Sequence, residues 1–271
     1  MRRRRDILFG FGLGYLALLV LFAIFWPMIG RDVYAMTGPS FAPPGAEYLL
    51  GTDELGRDYL SRLAYGARIS LLIGVTVQAI SLTLGIVVGL SGVFAPKWIR
   101  LPLMRLTDGM FAFPDILLAI LIVGVWQTGL VPVIVALSIT AWPAVARLVV
   151  TQVASIKDRE YVVAARAMGA PTWYVSIKHI LPQVWGILLA VSMVDLAGTI
   201  LAESTLSFLG IGVQAPDPSW GSMIDKARAN MNAHPLLLLW PCLFLSLTIF
   251  ALNFVGDGLR ARLDPRSKIH P

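Results

Sequence analysis

The chain of 271 residues holds one cysteine, Cys242, set within an apolar run, which excludes an intramolecular disulfide framework and an all-thiolate metal site. Its three histidines, His179, His234 and His270, lie far apart with no ligand spacing, and no nucleophile with a partnering base stands out. No metal site and no catalytic residue is therefore expected. Charge is scarce too: only 14% of the residues are Asp, Glu, Lys or Arg, against about 25% in ordinary soluble domains. The net charge of +6 comes from 16 acids against 22 basic residues, too thin a basic surface for a nucleic-acid binder. A GxxxxGK[ST] phosphate loop is also missing, and the nearest glycine cluster, Gly10, Gly12 and Gly14, sits in an apolar run with no strand before it. Any energised work needs another chain to bind the nucleotide.

What the sequence has in excess is apolar residues, 57% of the total, with a mean hydropathy of +0.74. That composition belongs to lipid, and the expected fold class is an all-α integral membrane protein. A crossing needs roughly 20 apolar residues to span a hydrocarbon core of about 30 Å. The first run, residues 7–30, follows Arg2, Arg3, Arg4 and Arg5 and exceeds a signal-peptide core, so it reads as a retained anchor. Residues 69–96 give the second span, punctuated by Gly74, Gly85, Gly89 and Gly92, small faces suited to close helix packing. The long uncharged stretch 116–146 is divided by the turn signal Gln127, Thr128, Gly129 and Pro132, giving span three at about 103–126 and span four at about 131–150. Span five is expected at about 184–203 and span six at about 236–257.

Six spans place both termini on one side, and the basic residues test the count. Arg2, Arg3, Arg4, Arg5, Lys97, Arg100, Arg105, Arg147, Lys157, Arg159, Arg166, Lys178, Arg260, Arg262, Arg266 and Lys268 fall on the side of the termini. Arg31, Arg57, Arg62, Arg68, Lys226 and Arg228 fall on the other. Sixteen against six makes the terminal side cytoplasmic, so the chain is a multi-pass protein of a cell membrane with both ends inside. Trp220 and Trp240 are candidates for an outer aromatic belt, Trp142 and Trp185 for an inner one. The organisation expected is an anchor helix with an external segment, residues 1–68, followed by a five-helix core, 69–271.

Three hydrophilic pieces remain, 31–68 and 204–235 outside and 151–183 inside, none large enough for a nucleotide-binding domain. The inner piece is the most informative. Ser155 and Asp158 have capping-box spacing, and Tyr161, Ala164, Ala165 and Met168 fall on one helical face. Gly169 supplies a helix end, Pro171 forbids continuation, Thr172 can cap a second short helix, and Pro182 stops that one before span five. Two readings stay open on pattern alone: an interfacial helix lying on headgroups, or a docking element whose small Ala164, Ala165 and Gly169 admit a partner's surface.

The residues 160–169, EYVVAARAMG, followed by Ile180, Leu181 and Pro182, resemble the EAA loop of ABC-importer permeases. The resemblance extends to GTDELGRDYLSR at 51–62, GARISL at 66–71, Phe113 and Pro114, WPAVAR at 142–147, ESTLSFLG at 203–210 and PSWG at 218–221. Together these look like the dipeptide/oligopeptide/nickel permease family of bacterial or archaeal membranes. The resemblance implies a type I importer fold, a homologous permease as partner, two ATPase subunits carrying ATP and magnesium, and an external binding protein that delivers peptide, or nickel or glutathione in some members. It also places Glu160, Ala164, Ala165, Gly169, Ile180 and Pro182 at the ATPase contact. One departure is Val163, where the family has a glutamate before the two alanines.

Asp195 lies within span five and Glu203 closes it, while Asp108, Asp115 and Arg147 lie near span ends. An acid near a bilayer centre costs roughly 2.5 to 3.5 kcal/mol, so Asp195 and Glu203 are candidates to line a translocation path or a subunit interface, or to make an interhelical hydrogen bond. The outer cluster of Asp53, Glu54, Arg57, Asp58 and Arg62 reads as a solvated turn with internal ion pairs, with acid/base chemistry or cation capture as the alternative. A self-sufficient carrier or channel is the competing class; neither a paired inverted repeat nor an obvious ion path is visible for it.

Overall fold

A computed structural model describes residues 2–263. Ten helices fill them: α1 Arg2–Ile29, α2 Tyr59–Phe94, α3 Lys97–Met110, α4 Asp115–Trp126, α5 Leu130–Ala154, α6 Glu160–Ala167, α7 Thr172–Val175, α8 Leu181–Phe208, α9 Trp220–Ala229 and α10 Pro235–Leu263. Among the described residues no strand forms; one isolated bridge pairs Thr52 with Asp58. Of the basic residues assigned to the inner side, Arg266 and Lys268 lie outside the described residues, as does His270.

Five helical runs are long and apolar enough to cross a membrane, and a sixth crossing comes from α3 and α4 taken together, bent by 94°. Span three is thus not the single helix expected at about 103–126. α3 ends at its cap Phe111 and α4 starts afresh behind Pro114, whose ring disfavours helical backbone at the residue before it. Its 12 residues reach only about 18 Å, so the turn before it carries part of the depth.

Helix packing shows that this broken pair is a crossing. Gly85 on α2 lies against Val145 of α5, and Gly89 against Val149, with Val145 Cβ and Val149 Cβ close enough to forbid any side chain at either glycine. Ser81 hydroxyl meets the Ser138 carbonyl nearer the start of both helices. Positions rise together, so α2 and α5 run parallel, and the chain between them must return to the opposite face of the bundle. In the other pairs positions run opposite: Gly74 of α2 packs on Leu196 and Ile200 of α8, Gly256 of α10 on Val194, and Gly12 of α1 on Ala251. The alternation gives six crossings and brings both ends of the described chain to one face, where Arg262 reaches Asp6 at 3.2 Å and covers the ring of Phe9.

Two helices run further than expected. α2 begins ten residues before Ile69 because Asp58 caps it, its carboxylate accepting from the Ser61 amide at 2.8 Å, and because the Arg62 charge is paired, not solvated. Pro182, expected to stop a helix before span five, sits in the first turn of α8, where its missing N–H costs little. A π turn over Ser176–Ile180 joins α7 to α8, so Thr172–Phe208 is one helical run. Trp220, placed by sequence in an outer aromatic belt, is instead fully buried; its indole N–H donates to the Leu63 carbonyl at 3.2 Å, and it belongs to the core formed by Tyr59, Leu63, Ile200 and Met223.

Candidate functional site: a docking face and a mid-depth cleft

The segment from Ser155 to Ile180 sits at the end of the bundle that holds both termini. Ser155 does not open a capping box with Asp158: it ends α5, its hydroxyl turned back to the Gln152 carbonyl at 2.7 Å, and α6 starts behind Arg159 without a side-chain cap. Helix α6 ends in a Schellman motif. The Gly169 amide donates to Arg166 at 2.9 Å, the Ala170 amide to Ala165 at 3.1 Å, and Gly169 takes φ +86°. Thr172 is the first residue of α7 and caps nothing; Pro171 precedes it.

The buried side of this helix pair is set by Val162 and Ala165, which join Val153, Ile156, Val175, Ile180, Val184 and Leu188 in one apolar cluster. Four of the six predicted docking residues therefore lie on the surface and two do not. Glu160, Ala164, Gly169 and Pro182 are exposed, whereas Ala165 and Ile180 point into the core. The phase expected from Tyr161, Ala164, Ala165 and Met168 is off by about one position: Val162 is buried together with Ala165, and Tyr161, Ala164 and Met168 are left outside. What the outer face offers is apolar: Met168 is 83% exposed and Trp173 66%, with Tyr161, Val163 and Ile177 beside them. A Cβ at Gly169 would meet nothing within 4 Å.

The second feature lies at mid-length of α2, α5 and α8. A cleft of about 320 Å³ opens there, lined by Gln78 of α2, Thr140 of α5, Asp195 and Thr199 of α8, and Asp115 at the start of α4. The break between α3 and α4 forms its rim through Met110 and Phe111. Asp195 is half-buried and its carboxylate has no hydrogen bond or ion pair within the described chain. Asp108 and Arg147, also flagged by sequence, pair with one another across α3 and α5 below the cleft. Gln78 escaped the sequence reading, although it is the sole amide side chain in the apolar run of α2.

Glu203 does not line this cleft. It is fully buried and accepts from the hydroxyls of Ser207 at 2.8 Å, Ser70 at 2.9 Å and Ser204 at 3.4 Å. This knot ties α8 to α2 beside Ser219, which caps α9 in a reciprocal box with Ser222. Next to it the outer block closes on itself. Asp53 receives Arg57 at 2.7 Å and Arg62 at 3.3 Å, all three side chains nearly sealed from solvent, while Glu54 reaches Arg57 and Lys226. Burial lowers the Lys226 ammonium below its ordinary pKa, partly offset by Glu54.

Comparison with known proteins settles what kind of molecule carries these features. The family described as "binding-protein-dependent transport system inner membrane component" matches residues 81–269. The chain belongs to this family. It is 38% identical over 268 residues to the oligopeptide transport system permease protein OppC of Bacillus subtilis, covering 98% of this chain and 88% of that protein. It is 40% identical to the di/tripeptide transport system permease protein DppC of Pseudomonas aeruginosa, over 95% and 88%. With the glutathione transport system permease protein GsiD of Pectobacterium atrosepticum it shares 39% identity, over 83% and 75%. A chain of the inward-facing MetNI methionine ABC transporter matches the fold with a TM-score of 0.60 at 17% identity, covering 75% of this chain and 96% of that one. The protein is thus a multi-pass inner-membrane permease subunit with the type I ABC importer fold, a transport component and not an enzyme, and the carrier or channel reading gives way.

Proposed function

We propose that this permease subunit pairs with a homologous permease to form the path of an ATP-driven importer for di- and oligopeptides delivered by an external binding protein. Two ATPase subunits, carrying ATP and magnesium, dock on the face made by Glu160, Tyr161, Ala164, Met168, Gly169 and Trp173. The observation that carries this reading is the apolar outer face of α6 and α7, held on the terminal side by a buried cluster that makes no use of it. The excess of basic residues makes that side cytoplasmic, where nucleotide is available. The relatives named for oligopeptides and di/tripeptides support the cargo, and glutathione, the cargo in the name of a third relative, is itself a small peptide.

ATP acts on the path only if docking differs between the closed and open ATPase states, because a ligand shifts an equilibrium by its differential affinity alone. Gly169→Asp tests the docking face. Aspartate tolerates a positive φ better than most residues and meets open space here, so the fold is expected to survive. Membrane insertion stays normal, while peptide uptake and binding-protein-stimulated ATP hydrolysis fall to background; wild-type uptake in this variant refutes the assignment.

A further inference from the structure

At the terminal face α1 meets the last turns of α10, and the two helices touch most closely where the Phe9 ring lies on Gly258. Beside that contact opens a hollow of about 560 Å³, lined by Arg5 and Leu8 of α1 and by Phe254, Asp257 and Arg260 of α10. Its volume falls within the roughly 300 to 1,000 Å³ of small-ligand sites. Along the helices its character changes. Arg5 and Arg260 stand at the terminal face, Leu8 and Asp257 lie about one turn deeper, and Phe254 is deepest, about 9 Å along α10 from Arg260. Arg5, Asp257 and Arg260 have no partner among the described residues, whereas their neighbour Arg262 is held by Asp6 and the Phe9 ring. Charge around the mouth is lopsided: residues 2–6 and 254–262 hold six arginines against Asp6 and Asp257. The first turn of α1 carries no acid, although the helix dipole favours negative charge there, so its arginines oppose the dipole as well as one another.

We infer that this groove holds an anionic phospholipid of the leaflet at the terminal face. Its phosphate sits on Arg5 and Arg260, a headgroup hydroxyl donates to Asp257, and its acyl chains run down past Leu8 and Phe254. Guanidinium forks suit phosphate oxygens, and a basic pocket between the ends of two membrane-spanning helices is the ordinary form of a headgroup site. The order of polarity, cationic at the face and apolar beneath, is that of a phospholipid standing in its leaflet; a soluble phosphate makes no use of Leu8 and Phe254. Asp257 narrows the class, because a carboxylate beside two cations can only accept, and phosphatidylglycerol brings hydroxyls to donate. The surplus of arginines selects a lipid with net negative charge over a zwitterionic one. Lipid has access here, since α1 is at the edge of the bundle with Ile7, Leu18, Leu21 and Phe25 exposed. α1 also precedes the stretch matched by the permease family, residues 81–269, and the inference does not depend on the cargo.

The test takes the full chain with the subunits that accompany it in mild detergent, strips the lipid, and adds back dioleoyl-phosphatidylglycerol or dioleoyl-phosphatidylethanolamine. Native mass spectrometry counts what stays bound. Phosphatidylglycerol is expected to bind in preference to phosphatidylethanolamine. The double variant Arg5→Gln, Arg260→Gln holds one phosphatidylglycerol fewer per copy of this chain, its affinity there lowered about thirtyfold, as for two basic residues near an anionic headgroup. Arg100→Gln, Arg105→Gln, a pair on α3 outside the groove, loses none. Phe254→Ser weakens the same lipid about fivefold through lost chain contact. These side chains are exposed or half-buried, so the fold is expected to survive, and circular dichroism of the same samples checks it. Equal retention of the two lipids overturns the site, as does an unchanged phosphatidylglycerol count in the Arg5, Arg260 variant. Displacement of the lipid by inorganic phosphate, equally in wild type and Phe254→Ser, overturns it by making the hollow a site for soluble anions. Loss of the accompanying subunits from the Arg5, Arg260 variant with its lipid count unchanged overturns it too, by giving the groove to a protein partner.

Discussion

The two ends of the helix bundle solve opposite problems. At the end away from the termini the buried charges are met within the chain, Asp53 by Arg57 and Arg62 and Glu203 by three serines, and the Trp220 indole donates to the Leu63 carbonyl. At the terminal end the helix pair α6–α7 buries Val162, Ala165 and Val175 and leaves Met168 and Trp173 to solvent. Met168 lies outside the membrane-spanning runs and Trp173 in the first turn of the Thr172–Phe208 run, and exposed large apolar residues grouped in this way mark a surface for contact. The lesson is that charge alone misleads here: the buried ion pairs of the outer end close on one another, and the surface left open at the more basic inner end is apolar.

The sharpest way to break that contrast is Asp53→Ala, which leaves Arg57 and Arg62 buried without their shared acceptor. Loss of one side of a buried ion pair costs about 3 to 5 kcal/mol, so the unfolding midpoint of the purified complex should fall steeply. An unchanged midpoint means that the outer end is not self-contained. Glu203→Ala comes next: three serine hydroxyls lose their acceptor and a void opens, at about 2 to 4 kcal/mol in the same measurement. Glu203→Gln keeps the volume and part of the bonding, and a loss as large as that of the alanine variant would show that the charge itself is needed. At the other end Trp173→Ser is expected to move the midpoint by less than about 0.5 kcal/mol, as for an exposed position. Its effect appears in copurification, where the ATPase subunits recovered per permease drop; full recovery would mean that Trp173 lies outside the docking face.

Much of this contrast was legible in the sequence, and the failures share a cause. Apolar run length and basic asymmetry give the six crossings because both follow from the cost of placing charge in lipid, which depends on composition and not on neighbours. Pro114 was in view, yet the break it makes was not, since a proline is compatible with a kinked helix as well as with two helices at 94°. Ser155 and Asp158 have the spacing of a cap, but α5 continues to Ala154 and uses Ser155 as its own end. Trp220 reads as an interfacial residue until α9 folds it inward over Leu63, a contact between residues 157 positions apart. For the cleft, Asp195 announced itself as an acid in an apolar span. Gln78 did not, because an uncharged amide in a glycine-rich helix is unremarkable until its lack of an acceptor can be seen.

The π turn that joins α7 to α8 makes Trp173 and Asp195 parts of one rod, 22 residues and therefore about 33 Å apart. Such a rod works as a lever arm. A tilt of about 5° at the docking end, pivoting near Trp173, sweeps the Asp195 carboxylate sideways by about 3 Å, the width of one water molecule. That travel is enough to make or undo a hydrogen bond, and because Val194 and Leu196 are packed on Gly256 and Gly74, α2 and α10 must yield or move with it.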